Sequence, residues 1–213
     1  MSLSKLTIVI PTFYPGKIIK KCLASLPLNS EIIIIDNGDD PELEKIIKLQ
    51  KKKIKHYKVG DVGLPKSFNI ALKKSKNENI LITQPDVCFE KDSITNLMKA
   101  QKKYSKAGIV SPLLFEKKRY SQYDYLDLYL SKLGKLKNTR RPKRISILPS
   151  GDICVEAVNA TAMLIKKSVI KRVNGWDENI YTYHEDIDLC LRLRKKGYTI
   201  MKIKKSIAHH VGF

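Results

Sequence analysis

Glu185, Asp186 and Asp188 crowd the first turn of an amphipathic helical pattern, Glu185-Asp186-Ile187-Asp188-Leu189-Cys190-Leu191-Arg192, which Gly197 closes. A carboxylate held at such a place can take the proton from a hydroxyl and turn it into a nucleophile. The positive end of a helix dipole also favours acids there, so ordinary helix initiation competes with the catalytic reading. An aromatic-rich stretch, Gly175-Trp176-Asp177-Glu178-Asn179-Ile180-Tyr181-Thr182-Tyr183, delivers the chain to these acids.

Three further polar clusters each follow an apolar run. They are Pro11-Thr12-Phe13-Tyr14, Asp36-Asn37-Gly38 and Gln84-Pro85-Asp86. In open α/β sheets, ligands bind beyond the carboxyl ends of strands, where these clusters fall. Asp36 can accept from a nucleobase N–H or a ribose hydroxyl, and Phe13 or Tyr14 can pack on a base; a turn-forming Asx residue explains Asp36 equally simply. Asp86 is a candidate ligand for a hard divalent cation, which prefers carboxylate oxygen and shares its shell with substrate phosphates. His209 or His210 beside it would suit Mn²⁺ as well as Mg²⁺. Surface histidines on a fraying tail are the alternative for that pair. No Gly-x-Gly-x-x-Gly and no Walker loop is present, which disfavours dinucleotide and P-loop chemistry.

The elements that must position these residues alternate as strands and crossover helices do. Short apolar runs at 6–10, 31–35, 54–59, 79–83 and 108–111 predict strands, with helices at 17–26, 42–50, from Pro65 onward and over 92–104. The four isoleucines before Asp36 predict a central strand buried on both faces. After Pro112 the pattern breaks, and 116–150 reads as a basic, tyrosine-rich loop or short helix. Regularity resumes over 154–165, 167–172, 185–196 and 198–203. With 213 residues the chain suits one α/β domain with a real core. The formal net charge of +20 implies attraction to something anionic, although lysines spread along the chain also read as a solvated surface. Four scattered cysteines predict reduced thiols in a cytoplasmic protein. The run 6–10 is too short for a signal peptide, and no segment has the length of a membrane span.

Taken in order, these motifs resemble a family 2 glycosyltransferase, nearest to its rhamnosyltransferase-like members. Thr7-Ile8-Val9-Ile10-Pro11-Thr12-Phe13 resembles the family's opening strand and nucleotide loop, and Ile33-Ile34-Ile35-Asp36-Asn37-Gly38 its second strand. Asn69-Ile70-Ala71 resembles an Asn-x-Gly helix with Ala71 in place of glycine. Gln84-Pro85-Asp86-Val87 is similar to the Asn-Pro-Asp form of the metal motif, with Gln84 replacing an acid. Asn159 to Ile165 resembles the strand before the acceptor-side elements. Asn174-Gly175-Trp176-Asp177-Glu178 leads into a Glu-Asp motif, and His209-x-x-Gly212 resembles a C-terminal histidine motif.

The resemblance implies a single GT-A (Rossmann-like) domain with a mixed, mostly parallel sheet flanked by helices. Its parts would be a nucleotide-binding half (1–111), a basic variable insertion (112–150) and an acceptor and catalytic half (151–213). It implies an inverting, metal-dependent transfer of a sugar from a UDP- or dTDP-sugar to a hydroxyl of a glycan or lipid-linked glycan. Asp186 would be the base, with Glu185 the alternative and Asp188 an orienting acid. Asp86 would hold Mn²⁺ or Mg²⁺, with His209 a further ligand. The nucleotide would meet Pro11, Thr12, Phe13, Asp36 and Asn37 on one side, and Lys66, Asn69, Gln84 and Pro85 on the other. Trp176, Tyr183 and His184 would face the acceptor. The basic segment 132–144 would approach an anionic acceptor or an acidic membrane at its cytoplasmic face. Two other readings are an inactive sugar-nucleotide-binding relative, suggested by Gln84 and Ala71, and a nucleic-acid-binding module. No nucleic acid is expected, since recognition helices, zinc fingers and aromatic-basic interleaving are all missing.

Overall fold

The computed structural model of the chain describes residues 3–116, 119–120 and 148–211. The segment 132–144 and the tyrosines at 123, 125 and 129 lie outside them. The chain runs β1 (Leu6–Thr12), α1 (Ile19–Ser25), β2 (Glu31–Asp36), α2 (Pro41–Lys48), β3 (Ile54–Lys58), α3 (Leu64–Lys74) and β4 (Asn79–Thr83). It continues through β5 (Val87–Phe89), α4 (Ser93–Lys103), β6 (Ala107–Glu116), β7 (Arg119–Tyr120) and β8 (Ile153–Val155). It ends with β9 (Ala162–Lys166), α5 (Lys167–Lys171), α6 (Glu185–Lys195) and β10 (Thr199–His210).

One sheet has the order β3-β2-β1-β4-β9-β6-β10-β5, with β7 paired to β6 and β8 to β10. β3, β2, β1 and β4 are mutually parallel, β9 lies antiparallel between β4 and β6, and β10 runs parallel to β6. The mixed, mostly parallel sheet flanked by helices is the predicted class.

The isoleucine run explains why β2 is central. Successive side chains point to opposite faces of a strand. Ile32 and Ile34 join Ile8, Ile10 and Leu81 against α1, α2 and α4, while Ile33 and Ile35 join Val9, Phe68 and Met163 against α3, α5 and α6. All four isoleucines are fully buried, each contributing roughly 1.5–3 kcal/mol by area. Asp40 then starts α2, accepting from the Glu42 N–H at 2.8 Å just ahead of Pro41.

Two boundaries differ from the sequence expectation. β6 does not stop at Pro112 but runs on to Glu116, with Pro112 opposite Ile203. The register shift between Ile203 and Ile207 follows at once, so the missing proline N–H sits where the ladder is already irregular. β10 likewise passes beyond Ile203 to His210, so the histidines end a paired strand rather than a fraying tail.

Candidate active site

The order of the sheet reverses at β1, whose neighbours β2 and β4 lead away to either side, and three polar turns leave the carboxyl ends of these strands. At the β2 end Asp36 is fully buried. Its Oδ1 accepts from the Gly38 N–H at 3.1 Å, and its Oδ2 from Asp40 N–H at 3.2 Å with His56 Nε2 at 3.1 Å. Asn37 donates to the Thr12 and Ile35 carbonyls and accepts from Ser67 Oγ at 2.9 Å and Val62 N–H at 3.4 Å. Asp36 therefore organises the turn, as an Asx residue does, rather than facing a base as the resemblance implied. Buried Pro11 and Thr12 lie beneath the same turn.

The groups open to a ligand at this end are the rings of Phe13 and Tyr14, 61% and 60% exposed and packed edge to face at 5.1 Å. Tyr14 has φ 45° and its ring covers Gly38, where a Cβ would come within 2.8 Å of it. Only glycine allows that approach. Lys66 is exposed on the first turn of α3.

The β4 end carries Gln84 and Pro85, both half-buried, and Asp86. The Asp86 Oδ2 lies 3.0 Å from His210 Nε2, and the Glu116 carboxylate lies 3.6 Å from His210 Nδ1. Asp86 Oδ1 is buried with no hydrogen-bond partner among the described residues. Burial works against a charged His210, but Asp86 and then Glu116 outweigh it and raise its pKa above the ordinary value. Here the expected ligand changes: His209, facing away, pairs with Glu90 at 2.7 Å and packs near Phe115. The antiparallel register sets His210 opposite Val87 and His209 opposite Cys88, and strand alternation turns successive side chains to opposite faces.

An orphaned carboxylate oxygen beside an imidazole nitrogen fits a hard divalent cation such as Mn²⁺ or Mg²⁺. The described residues hold no cluster of three or more His, Cys, Asp or Glu side chains suited to a metal, so the protein's share of such a shell is small.

The acidic helix start is the third component. Asp186 is half-buried and oriented by two backbone N–H groups: Ala160 donates to Oδ2 at 3.0 Å and Ile187 to Oδ1 at 2.8 Å. Burial raises its pKa, and those N–H groups oppose the rise. Glu185 is only 3% exposed, its Oε2 has no hydrogen-bond partner among the described residues, and burial, then the charge of Asp186, push its pKa up to about 7. Asp188 takes a structural task, binding Arg192 four residues on, and Arg192 reaches the Val173 and Gly175 carbonyls. The 160–161 step ties the turns together. Ala160 N–H holds Asp186, and the Thr161 carbonyl accepts from Gln84 N–H at 3.2 Å.

Two more expected contacts move. Trp176 is 2% exposed and packs on Phe68 at 5.0 Å, so it belongs to the core and cannot stack on an acceptor. Asn69 is bonded to Trp176 and Glu178 rather than open to a nucleotide. Tyr183, 78% exposed, and His184, also exposed, do present themselves beside the acids, at φ 63° and 71°. Sequence reasoning offered both histidines and leaned to His209, where the structure sets His210 beside Asp86; it missed Glu116 and His56. Strand parity across 209–210 was the available signal for the choice of histidine; nothing local marked the other two.

Comparison with solved structures gives the class: the chain has the GT-A fold. GalNAc-T7, crystallised with UDP, GalNAc and Mn²⁺, aligns at TM-score 0.73 and 14% identity over 97% of this chain and 44% of that one. The mannosyltransferase PcManGT from Pyrobaculum calidifontis, in complex with GDP-Man and Mn²⁺, aligns at 0.70 and 14% over 96% and 56%. The chain thus spans about half the length of those proteins. The profile of Glycosyl transferase family 2 matches residues 7–171, and the chain belongs to that family. It is rhamnosyltransferase-like. It is 29% identical to Rhamnosyltransferase WbbL of Escherichia coli (strain K12), over 90% of this chain and 78% of that protein. It is 22% identical to the N-acetylglucosaminyl-diphospho-decaprenol L-rhamnosyltransferase of Mycobacterium tuberculosis, over 96% and 76%.

Proposed function

We propose that the chain is an inverting glycosyltransferase that moves a sugar from a nucleotide-diphosphate sugar to a hydroxyl of a glycan or lipid-linked glycan. Asp186 is the general base. Asp86 and His210 hold a divalent cation, Mn²⁺ or Mg²⁺, on the diphosphate. The observation that carries this reading is the 160–161 step, which fastens an oriented, half-buried carboxylate and the Asp86 turn to adjacent residues. A base and a leaving-group site set against each other suit a displacement at one carbon.

Asp186 takes the acceptor proton as the hydroxyl oxygen bonds to the anomeric carbon, and the bond from that carbon to the diphosphate oxygen breaks. Proton removal by a positioned base contributes roughly 10²–10⁴-fold. The cation, when bound, supplies Lewis-acid stabilisation of the charge on the departing phosphates. One displacement inverts the anomeric centre. Buried Glu185 is too enclosed to meet an acceptor, so the exposed rings of Tyr183 and His184 line its approach. Phe13 and Tyr14 form the platform for the base, and Lys66 stands near the phosphates. The relatives' names favour a rhamnosyl group as the sugar transferred, carried on a UDP or dTDP donor.

A thermal-shift panel of UDP-, GDP- and dTDP-sugars with Mn²⁺ or Mg²⁺ identifies the donor, since only a ligand bound to the folded state stabilises it strongly. Transfer must then disappear in Asp186→Asn and Asp86→Ala. Persistent transfer in both refutes the assignment. Binding without transfer in the wild type favours the inactive relative instead.

No helix of the described residues is long and apolar enough to cross a membrane. We place the enzyme in the cytoplasm with peripheral contact to an acidic membrane. Exposed Lys5, Lys53, Lys76, Lys106 and Lys196 lie ahead of β1, β3, β4, β6 and β10, gathering charge at the amino-terminal ends of these strands, opposite the site. Sedimentation with anionic vesicles, comparing the wild type with charge-neutralised 135–144 and with Lys76→Gln/Lys106→Gln, tests this. Binding unchanged in both variants refutes it.

A further inference from the structure

The stretch 174–184 carries no helix or strand, yet it must deliver Tyr183, His184 and the acids of α6 to the site. Its seat is one short piece of the nucleotide half. Asn69, in the middle of α3, donates from Nδ2 to the Trp176 carbonyl and to Glu178 Oε1, both at 2.9 Å, and accepts the Trp176 N–H at 3.0 Å on Oδ1. One amide side chain thereby satisfies both backbone groups of one residue and a neighbouring carboxylate, all in a different half of the chain. A second tie lies at the start of α3, where Leu64 N–H donates to the Tyr181 carbonyl at 3.0 Å and Tyr181 Oη donates to Asp61.

The fit at both ties leaves no slack. A Cβ at Gly175 would come within 2.7 Å of Asn69 Oδ1, and one at Gly63 within 2.5 Å of the Tyr181 carbonyl. Both glycines also have φ of 79°, a conformation that other residues rarely hold. From the far side Arg192 of α6 holds the Val173 and Gly175 carbonyls. The stretch ends on Tyr183 and His184, two successive left-handed residues that are neither glycine nor asparagine. Such backbone persists only where its surroundings over-determine it. The ties at Asn69, Gly63 and Arg192 hold the residues that lead into this pair, from Val173 to Tyr181.

We propose that Asn69 is a positioning residue: it latches the 174–184 stretch onto α3, and so sets Tyr183, His184 and Asp186 against the donor without touching the nucleotide. This rests on the glycosyltransferase reading above, and it replaces the nucleotide contact that the motif resemblance assigned to Asn69. A loosened latch leaves the donor's platform at Phe13 and Tyr14 intact while the base wanders from the acceptor. The latch therefore acts on turnover and not on donor affinity.

Trp176 is the only tryptophan of the chain, and it sits buried at the latch, so its emission reports on the seat directly. In Asn69→Ala the emission shifts to the red and acrylamide quenches it more strongly. The thermal shift produced by dTDP or UDP with Mn²⁺ stays as in the wild type. For the sugar nucleotide that the panel selects, kcat falls on the order of 100-fold, as a misplacement of about 1 Å does, while the donor KM holds within about twofold. Asn69→Asp keeps the acceptor for Trp176 N–H but loses both donors and sets a carboxylate against Glu178 and the Trp176 carbonyl, so it loosens the latch at least as far as Asn69→Ala. Gly175→Ala, which forces the latch open without altering Asn69, reproduces the emission change should Asn69→Ala fold poorly.

An unaltered Trp176 emission with a raised donor KM overturns the proposal in favour of a direct nucleotide contact. Unaltered emission and unaltered kcat overturn it as well. If the wild type turns over no sugar nucleotide, the glycosyltransferase reading fails, while the emission and the exchange of the 176–184 amides still judge the latch. Protection there unchanged in Asn69→Ala refutes it.

Discussion

Glu185→Gln should make the protein more stable at pH 8 than the wild type, and leave the two alike near pH 5. Glu185 is almost wholly enclosed, with an unpartnered Oε2 and the Asp186 carboxylate beside it, and its pKa lies at about 7 against an ordinary 4.5. An acid whose folded pKa is raised binds more protons folded than unfolded between those two values. Stability therefore falls as pH rises from about 4.5 to 7 and is level above. The full shift corresponds to roughly 3 kcal/mol. Relaxation of the surroundings around the charged carboxylate offsets part of this, leaving a penalty on the order of 2 kcal/mol at pH 8. Glutamine has no proton to lose, so the variant escapes that penalty. For a domain of this length the gain is roughly 4–8 °C in Tm. Urea or thermal melts of both proteins at pH 5, 6, 7 and 8 measure it. Other groups also titrate, including His210, whose raised pKa likewise makes stability fall as pH rises. The difference between the two curves cancels them. Parallel curves across the range would mean that the enclosed Glu185 does not titrate near neutrality.

Two smaller perturbations separate neighbouring residues. His210→Ala should abolish most of the Mn²⁺-dependent thermal shift seen with nucleotide, whereas His209→Ala, which loses the Glu90 pair and the Phe115 contact, should keep it; equal loss in both contradicts the strand-parity assignment. Arg192→Lys keeps the charge but gives up the fork that joins Asp188 to two carbonyls, and should cost about 1–3 kcal/mol in a urea melt. A change under about 0.5 kcal/mol would show the fork to be idle.

The first four parallel strands were legible because they are short apolar runs that end on polar turns, and the isoleucines of β2 announce a two-faced strand without ambiguity. The acids of α6 were legible by type, and the division among them only in part. Asp188 belongs to an i,i+4 pair that sequence can see, but Asp186 is oriented by Ala160, which only the sheet brings near. Asn69, Trp176 and Asp36 were assigned to ligands by the motif resemblance, with a turn-forming Asx residue as the alternative for Asp36; in the structure each has a partner distant in sequence, and neither that partner nor the burial was visible in the spacing. β6 shows the same limit from the other side. Pro112 is a local stop signal that tertiary pairing overrides because the facing strand is irregular just beyond that point.

The Asp86–His210 pair has a consequence for the order in which ligands arrive. It offers one carboxylate and one imidazole, where Mn²⁺ or Mg²⁺ takes about six donors, usually several of them water or phosphate oxygens. His210 is also held between two carboxylates that favour its proton, which a cation must displace. The protein alone would therefore make a weak site, and Gln84, an amide where a second carboxylate would add charge, would keep it weak. A bound diphosphate supplies the missing oxygens, so cation and nucleotide should strengthen each other. Linkage makes the two effects equal, and couplings of this kind are typically about 5–150-fold. Titration of Mn²⁺ by electron paramagnetic resonance, with and without saturating dTDP or UDP and corrected for the metal–nucleotide complex in solution, reads one side of the cycle. Nucleotide titration with and without Mn²⁺ reads the other. Tight Mn²⁺ binding to the nucleotide-free protein would require a third protein ligand and would overturn the two-donor site. Equal strengthening on both sides, lost in His210→Ala, is the outcome that the geometry at Asp86 demands.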